Sequence, residues 1–324
     1  DPVTTAPFAV DNQPPLFPDA LASHTHTPDV WSSLPTFGAL WLPADDGAGV
    51  GGIAYAYRLS PLPDDLLSEG APVTEATAVE TPTVEGADIW FAVQARDAFG
   101  NRSAVQRLGP LAKDLTPPEH GDASVTVARS DFGNYAVGPT LQVSWNGFHD
   151  ALSGIKGYYL LQQADTSLSR PVFQTEPSAR IDAILPGMTH HVLLFAVDSA
   201  GNASIALSDT LLVLSPEADT DGDGHSADQE ELAGTDALDP ESVLRLGIGS
   251  TADNAVELYW PSLTGRQYSL QYKEDPREEF WRSVPDLTNL PGMNRTERYR
   301  VWTGPAAFYR LLVAPETSTL QEKD

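Results

Sequence analysis

The same landmarks occur twice in this chain, about one hundred residues apart, and a duplication of that kind decides architecture before any single strand is considered. Asp11-Asn-Gln-Pro-Pro15 returns as Asp114-Leu-Thr-Pro-Pro118, Trp41 as Trp145, and Gly52-Ile53 as Gly154-Ile155. Asp97-Ala-Phe-Gly-Asn-Arg-Ser103 returns as Asp198-Ser-Ala-Gly-Asn-Ala-Ser204, and the offsets all lie between 101 and 104 residues. Landmarks in one order at nearly constant offset mean two copies of one domain, residues 11–113 and 114–216, of the size usual for a β-sandwich.

Within the copies, alternation and β-branched or aromatic enrichment predict strands at Phe37 to Leu42, Ile53 to Leu59 and Ile89 to Arg96, then at Thr140 to Trp145, Ile155 to Gln163 and His190 to Asp198. Turn-formers separate these runs, and 27 prolines and 25 glycines leave little room for long helices. The fold class expected is all-β, with about seven strands per sandwich. Trp145 alternates with polar neighbours, and it and its counterpart Trp41 read as core. The early Trp, the tyrosines after the Gly-Ile step (Tyr55 and Tyr57, Tyr158 and Tyr159) and the late Gly-Asn turn resemble bacterial fibronectin type III-like, immunoglobulin-like repeats. Gly100-Asn101 and Gly201-Asn202 read as hairpin turn-formers, which also accounts for the sequons at Asn101 and Asn202.

Acidic groups recur with the repeat: Asp11, Asp45 or Asp46 and Asp97 in the first copy, Asp114, Asp150 and Asp198 in the second. In such a sandwich the leading segment, the loop after the Trp strand and the late hairpin share one pole. The acids are taken here as solvated loop groups; the competing idea is a calcium ion relieving their repulsion at each domain entrance.

Net charge is −26, so nucleic acid and acidic lipid are repelled and divalent cations attracted. There is no cysteine, which excludes disulfides, thiolate metal sites and cysteine nucleophiles. The longest apolar runs, such as Val192 to Val197, fall far short of a membrane span. With Asp1 in place of an initiator methionine and no charged-then-apolar leader, the sequence reads as a mature product or a fragment.

The acidity peaks in a linker, residues 217–241, which holds ten acids and no Lys or Arg. Inside it, Asp219-Thr-Asp221-Gly-Asp223-Gly224-His-Ser-Ala-Asp-Gln-Glu230 fits the calcium-loop pattern D-x-[DN]-x-[DN]-G-x5-E at every specified position. Carboxylates at positions 1, 3 and 5 face one point, and Gly224 at position 6 permits the sharp turn. The backbone carbonyl of His225 follows at position 7, and Glu230 at position 12 closes the sphere with two oxygens. Oxygen-only, anionic ligation in a flexible loop selects Ca2+ over zinc, copper or magnesium. Position 9 is Ala227, where water would serve, and Asp228 is a further ligand candidate. Asp228 to Ala233 is expected to form one or two helical turns ended by Gly234. No helix precedes Asp219, so a full EF-hand pair is absent. The segment resembles thrombospondin type 3-like or dockerin-like loops of bacterial surface proteins, with Ala237 where those usually carry proline.

Strands return from Val243: Val243 to Ile248, Ala255 to Trp260, Gln267 to Tyr272, Arg298 to Trp302 and Phe308 to Val313. Residues 242–316 thus form a small third β-domain, flanked by a short tail (317–324), as residues 1–10 flank the first sandwich. Its order of motifs looks like C-terminal β-modules of secreted planctomycete and verrucomicrobial proteins. Trp260, Trp281 and Trp302 are read as core, the alternative being a sugar-stacking face, and its arginines as partners for an acidic neighbouring domain.

No nucleophile elbow, phosphate loop or zincin histidine pair is present, and His24, His26, His190 and His191 lack metal-site spacing. The reading is therefore non-catalytic: tandem β-sandwiches joined by a calcium-binding loop to a small C-terminal β-domain, acting as an extracellular or cell-surface structural or adhesive segment. Its partners would be other surface proteins or further copies. A carbohydrate-binding accessory region that takes polysaccharide and a filament subunit are the open alternatives.

Overall fold

The computed structural model describes residues 10–47, 51–61, 67, 70–164, 167–182, 184–250, 255–301 and 307–316. Among them the architecture is all-β, with one short helix, and three hydrophobic cores each lie between a pair of sheets.

In the first sandwich, Thr36–Leu40 pairs on either side with Ala22–Ser23 and Ala78–Pro82, opposite a five-stranded sheet ordered Trp31–Ser32, Gln106–Lys113, Gly86–Arg96, Ala54–Ser60, Val73–Thr74. The second repeats the plan. Ser178–Ile181, Leu141–Asn146 and Ser124–Val127 form one sheet, and Tyr135–Val137, Leu207–Leu214, Met188–Asp198 and Ile155–Ala164 run across the other. The alternation read from the sequence is literal in Leu141–Asn146, where Leu141, Val143 and Trp145 are buried while Gln142, Ser144 and Asn146 are exposed. Period-2 chemistry sends every second side chain to one face, so one short strand delivers three apolar groups to the core.

Equivalent aromatic pairs close both cores. Trp41 meets Tyr55 edge-on at 5.4 Å and 60°, and Trp145 meets Tyr158 at 5.3 Å and 66°, the geometry favoured by the ring quadrupoles. The second tyrosines diverge: Tyr57 faces Phe91, whereas Tyr159 packs with Phe173 and Phe195.

The first sandwich also buries two basic groups. Lys113 Nζ donates to the carbonyls of Pro35 (3.2 Å) and Thr83 (2.7 Å). His26 packs on Phe37, and its Nε2 has no hydrogen-bond partner among the described residues. Burial, and then the Lys113 charge, hold the His26 imidazole below its ordinary 6.5. Protonation therefore favours the unfolded chain. Stability from this group is complete above pH 6.5 and is lost as pH falls through the folded value. We expect His26→Phe to flatten the pH dependence of urea unfolding of this sandwich below pH 6.5, and an unchanged slope would contradict the assignment.

In the C-terminal module, Gly247–Ser250, Val256–Ser262 and Arg295–Val301 form one sheet, and Arg266–Lys273 pairs with Phe308–Pro315, Arg282–Ser283 and Leu290–Pro291 in the other. The expected strand Val243 to Ile248 is displaced, since strand geometry begins only at Gly247. Leu244 and Leu246 still pack against the core, so their alternation records burial of a segment that has no ladder partner among the described residues. Trp260 is completely buried, stacked on Tyr299 at 5.3 Å and 19°. Trp302 lies outside the described residues.

Candidate metal centre

The linker folds the way its composition demands. Glycines 222 and 224 adopt φ of 84° and 96°, conformations open to residues without Cβ, and the chain turns tightly around the carboxylate of Asp219. That carboxylate accepts the N–H of Gly222 (2.8 Å) and of Gly224 (3.1 Å). Asp221 accepts the N–H of Asp223 (3.2 Å), and Asp223 that of His225 (2.7 Å). Each acid spends one oxygen or both on its own loop, and ligand oxygens of Asp219, Asp221 and Asp223 lie within 4.8 Å of one another.

Glu230 arrives from the helix. Helix α1, Ala227–Ala233, starts at Ser226, whose N–H donates to Gln229 Oε1 at 3.1 Å, and ends at Gly234 in the left-handed region. The Ser-x-x-Gln signature of this capping box is legible in the chain and places the helix start one residue before the Asp228 expected above. Among the described residues, Glu230 is 1% exposed and its Oε2 has no hydrogen-bond partner, nor do the buried Oδ2 atoms of Asp221 and Asp223. Burial, then the charges of Asp221 and Asp223, push its carboxyl up to about 7. His225 is exposed, and its imidazole takes no part in this cluster. Three orphaned, buried carboxylate oxygens with no Lys or Arg among the linker residues suit a hard dication. Asp219, Asp221, Asp223 and Glu230 would hold it with side-chain oxygens, and His225 with its carbonyl.

The loop is anchored to the second sandwich. Ala227 N–H donates to Ala218 O (2.9 Å) and Asp228 N–H to Pro216 O (3.1 Å). Ala227 and Ala237 join Tyr135 and Leu214 in a small buried cluster. The Ala237 N–H donates to the Tyr135 hydroxyl at 3.0 Å, a bond that the proline of the resembling loops could not make.

The sandwich acids also converge, as Asp11 with Asp46 and Asp97, and as Asp114 with Asp150 and Asp198. The expectation that they are solvated is corrected for three of them: Asp97, Asp114 and Asp198 are buried, whereas Asp45 is exposed and outside the cluster. The reason is local hydrogen bonding. Asp198 accepts the N–H groups of Gly201 and Asn202, and Asp114 those of Thr116 and Ser153. Burial pushes Asp97 up, but the bonds from Asn101, Phe99 and Gly100 together outweigh it and hold this carboxyl below its usual value. The Gly-Asn turns do more than turn. Asn101 Nδ2 bridges Asp97 Oδ2 to the carbonyl of Asp11, and Asn202 Nδ2 bridges Asp198 Oδ2 to the carbonyl of Asp114. The asparagine thus clasps the segment that leads into each sandwich.

Several arginines of the C-terminal module pair at home: Arg282 with Glu274 and Glu278, Arg295 with Glu297, Arg298 with Glu257. Trp281 carries Arg310 at 4.6 Å and Lys273 at 5.1 Å from its ring centroid. With Trp260 buried, the tryptophans of the module do not line up as a stacking platform among the described residues.

No protein-family profile matches the sequence, and neither does any curated protein sequence. Among solved structures, the fibronectin(III)-like modules of Clostridium thermocellum CbhA align with 60% of this chain and 94% of theirs, at 14% identity and a TM-score of 0.35. The FN1-FN3 domains of chicken CNTN1 align with 94% of each chain, at 14% identity and a TM-score of 0.27. No described helix is long and apolar enough to cross a membrane.

Proposed function

We propose that this chain is a non-catalytic structural or adhesive segment of an extracellular or cell-surface bacterial protein. In this reading one calcium ion, held by Asp219, Asp221, Asp223, Glu230 and the His225 carbonyl, makes it rigid. The observation that carries the reading is Glu230: a carboxylate 1% exposed, with an unpartnered oxygen, repelled by the charges of Asp221 and Asp223. Leaving such a group buried and unpaired costs several kcal/mol, and a dication converts that repulsion into attraction. With the metal bound, the linker stops being a polyanionic tether and becomes a joint between β-domains. The sandwiches then serve as spacers, with other surface proteins or further copies of the chain as the partners they present to.

Calcium titration of the full chain tests this. Because the ion binds the folded loop alone, it stabilises by mass action. Calcium should raise the melting temperature and slow proteolysis next to Asp219, and chelation should reverse both. A chain whose melting and cleavage ignore calcium and chelator alike refutes the proposal.

A further inference from the structure

We infer that Arg266 is the positioning residue through which the metal loop sets the orientation of the C-terminal module. The inference rests on the calcium reading above and adds to it the residue that transmits the effect. A helix leaves its last carbonyls without intrahelical partners. In α1 the carbonyl of Glu230 takes the N–H groups of Gly234 and Thr235, which leaves those of Glu231, Leu232 and Ala233. The first two are taken by one side chain from the next domain: Arg266 Nη2 donates to Glu231 O at 2.7 Å and Nε to Leu232 O at 2.5 Å. The last turn of α1 holds no basic residue of its own. A guanidinium from the module therefore supplies the positive charge that a helix C-terminus favours, in a fork that fixes direction as well as distance.

The two ends of the loop are fastened differently. Toward the second sandwich it shares the buried cluster of Tyr135, Leu214, Ala227 and Ala237, a contact that needs no metal. Toward the module, Leu263 Cδ1 crowds Gly234 so closely that a Cβ there would sit 2.0 Å away. Beside that contact the parts face each other across an open cleft lined by Asp228, Glu231, Leu232, Thr264 and Pro315. The Arg266 bonds exist only while α1 is wound, and a seven-residue helix is too short to persist alone. Glu230, the closing ligand, lies in that helix. Calcium on Glu230 thus holds the last turn of α1, that turn presents two carbonyls, and Arg266 reads them.

The test uses the full chain with a single cysteine introduced on each side, at Ser124→Cys and Thr288→Cys, both exposed, in a protein that has no other thiol. Donor and acceptor dyes then report the distance distribution between the second sandwich and the module, while calorimetry reports calcium uptake. In the otherwise unaltered chain calcium should narrow the distribution. In Arg266→Ala, calcium should still bind while the distribution stays as broad as in chelator. Arg266→Lys, which keeps the charge and loses the fork, should recover only part of the narrowing and guards against a folding defect in the alanine variant. The module's own melting transition is recorded for each. If calcium narrows Arg266→Ala as fully as the unaltered chain, or binds without narrowing either, Arg266 does not transmit the effect. No calcium uptake by the unaltered chain would instead remove the reading on which the inference rests, and the inference with it.

Discussion

Trp260→Ala is expected to lower the unfolding midpoint of the C-terminal module sharply while both sandwiches keep their own transitions. Trp260 is buried on every side, stacked on Tyr299 and packed with Tyr268, Leu258, Leu270 and Val301. Truncating a buried Trp to Ala costs about 3–5 kcal/mol through lost burial and the cavity left behind. A domain the size of residues 242–316 has a total stability of roughly 4–11 kcal/mol. The loss is therefore about half of a mid-range stability and all of one at the low end. Trp281, with cations over an incompletely buried ring, should cost only about 1 kcal/mol when replaced. Denaturant unfolding followed by fluorescence separates the two, and equal effects from both positions would contradict the burial assigned to Trp260.

The second large effect changes sign with the metal. Glu230→Gln removes a buried charge that repels Asp221 and Asp223, so in chelator the variant should be more stable than the original chain. In calcium the order should invert. At a concentration one hundred times its Kd, a ligand of the folded state contributes about 2.7 kcal/mol. Gln offers one neutral oxygen where Glu offers two charged ones. A loss of about 100-fold in affinity, modest against the range that ligand charge spans in such loops, leaves a contribution of only about 0.4 kcal/mol. Thermal unfolding of both proteins with and without calcium gives four values. Curves that fail to cross would show that Glu230 is not a ligand.

Different parts of this molecule were legible in the sequence for different reasons. The sandwiches could be read because their signal is periodic: Leu141, Val143 and Trp145 face the core by arithmetic, and the duplication supplies a second reading of every landmark. The helix after the loop could be read because Gly234 ends it, as the left-handed conformation there requires. Val243 to Leu246 misled, since alternation reports which side chains are buried and not whether a ladder partner stands alongside. The clasp of Asn202 on Asp114 spans 88 residues, and the grip of Arg266 on α1 spans 34 and 35. Neither has a local pattern, because an asparagine in a turn and an arginine in a strand look the same whether or not a distant carbonyl awaits them. For the loop, spacing named the proposed ligands, whereas the burial of Glu230, on which the proposed cation rests, is a tertiary property.

The most direct measurement is anomalous diffraction from crystals of the full chain grown in calcium. We expect a single strong peak in the loop, about 2.3–2.6 Å from its oxygen ligands, these being Asp219, Asp221, Asp223, the His225 carbonyl and both carboxylate oxygens of Glu230. A well-ordered loop with no peak, its carboxylates turned out to solvent, would contradict the account.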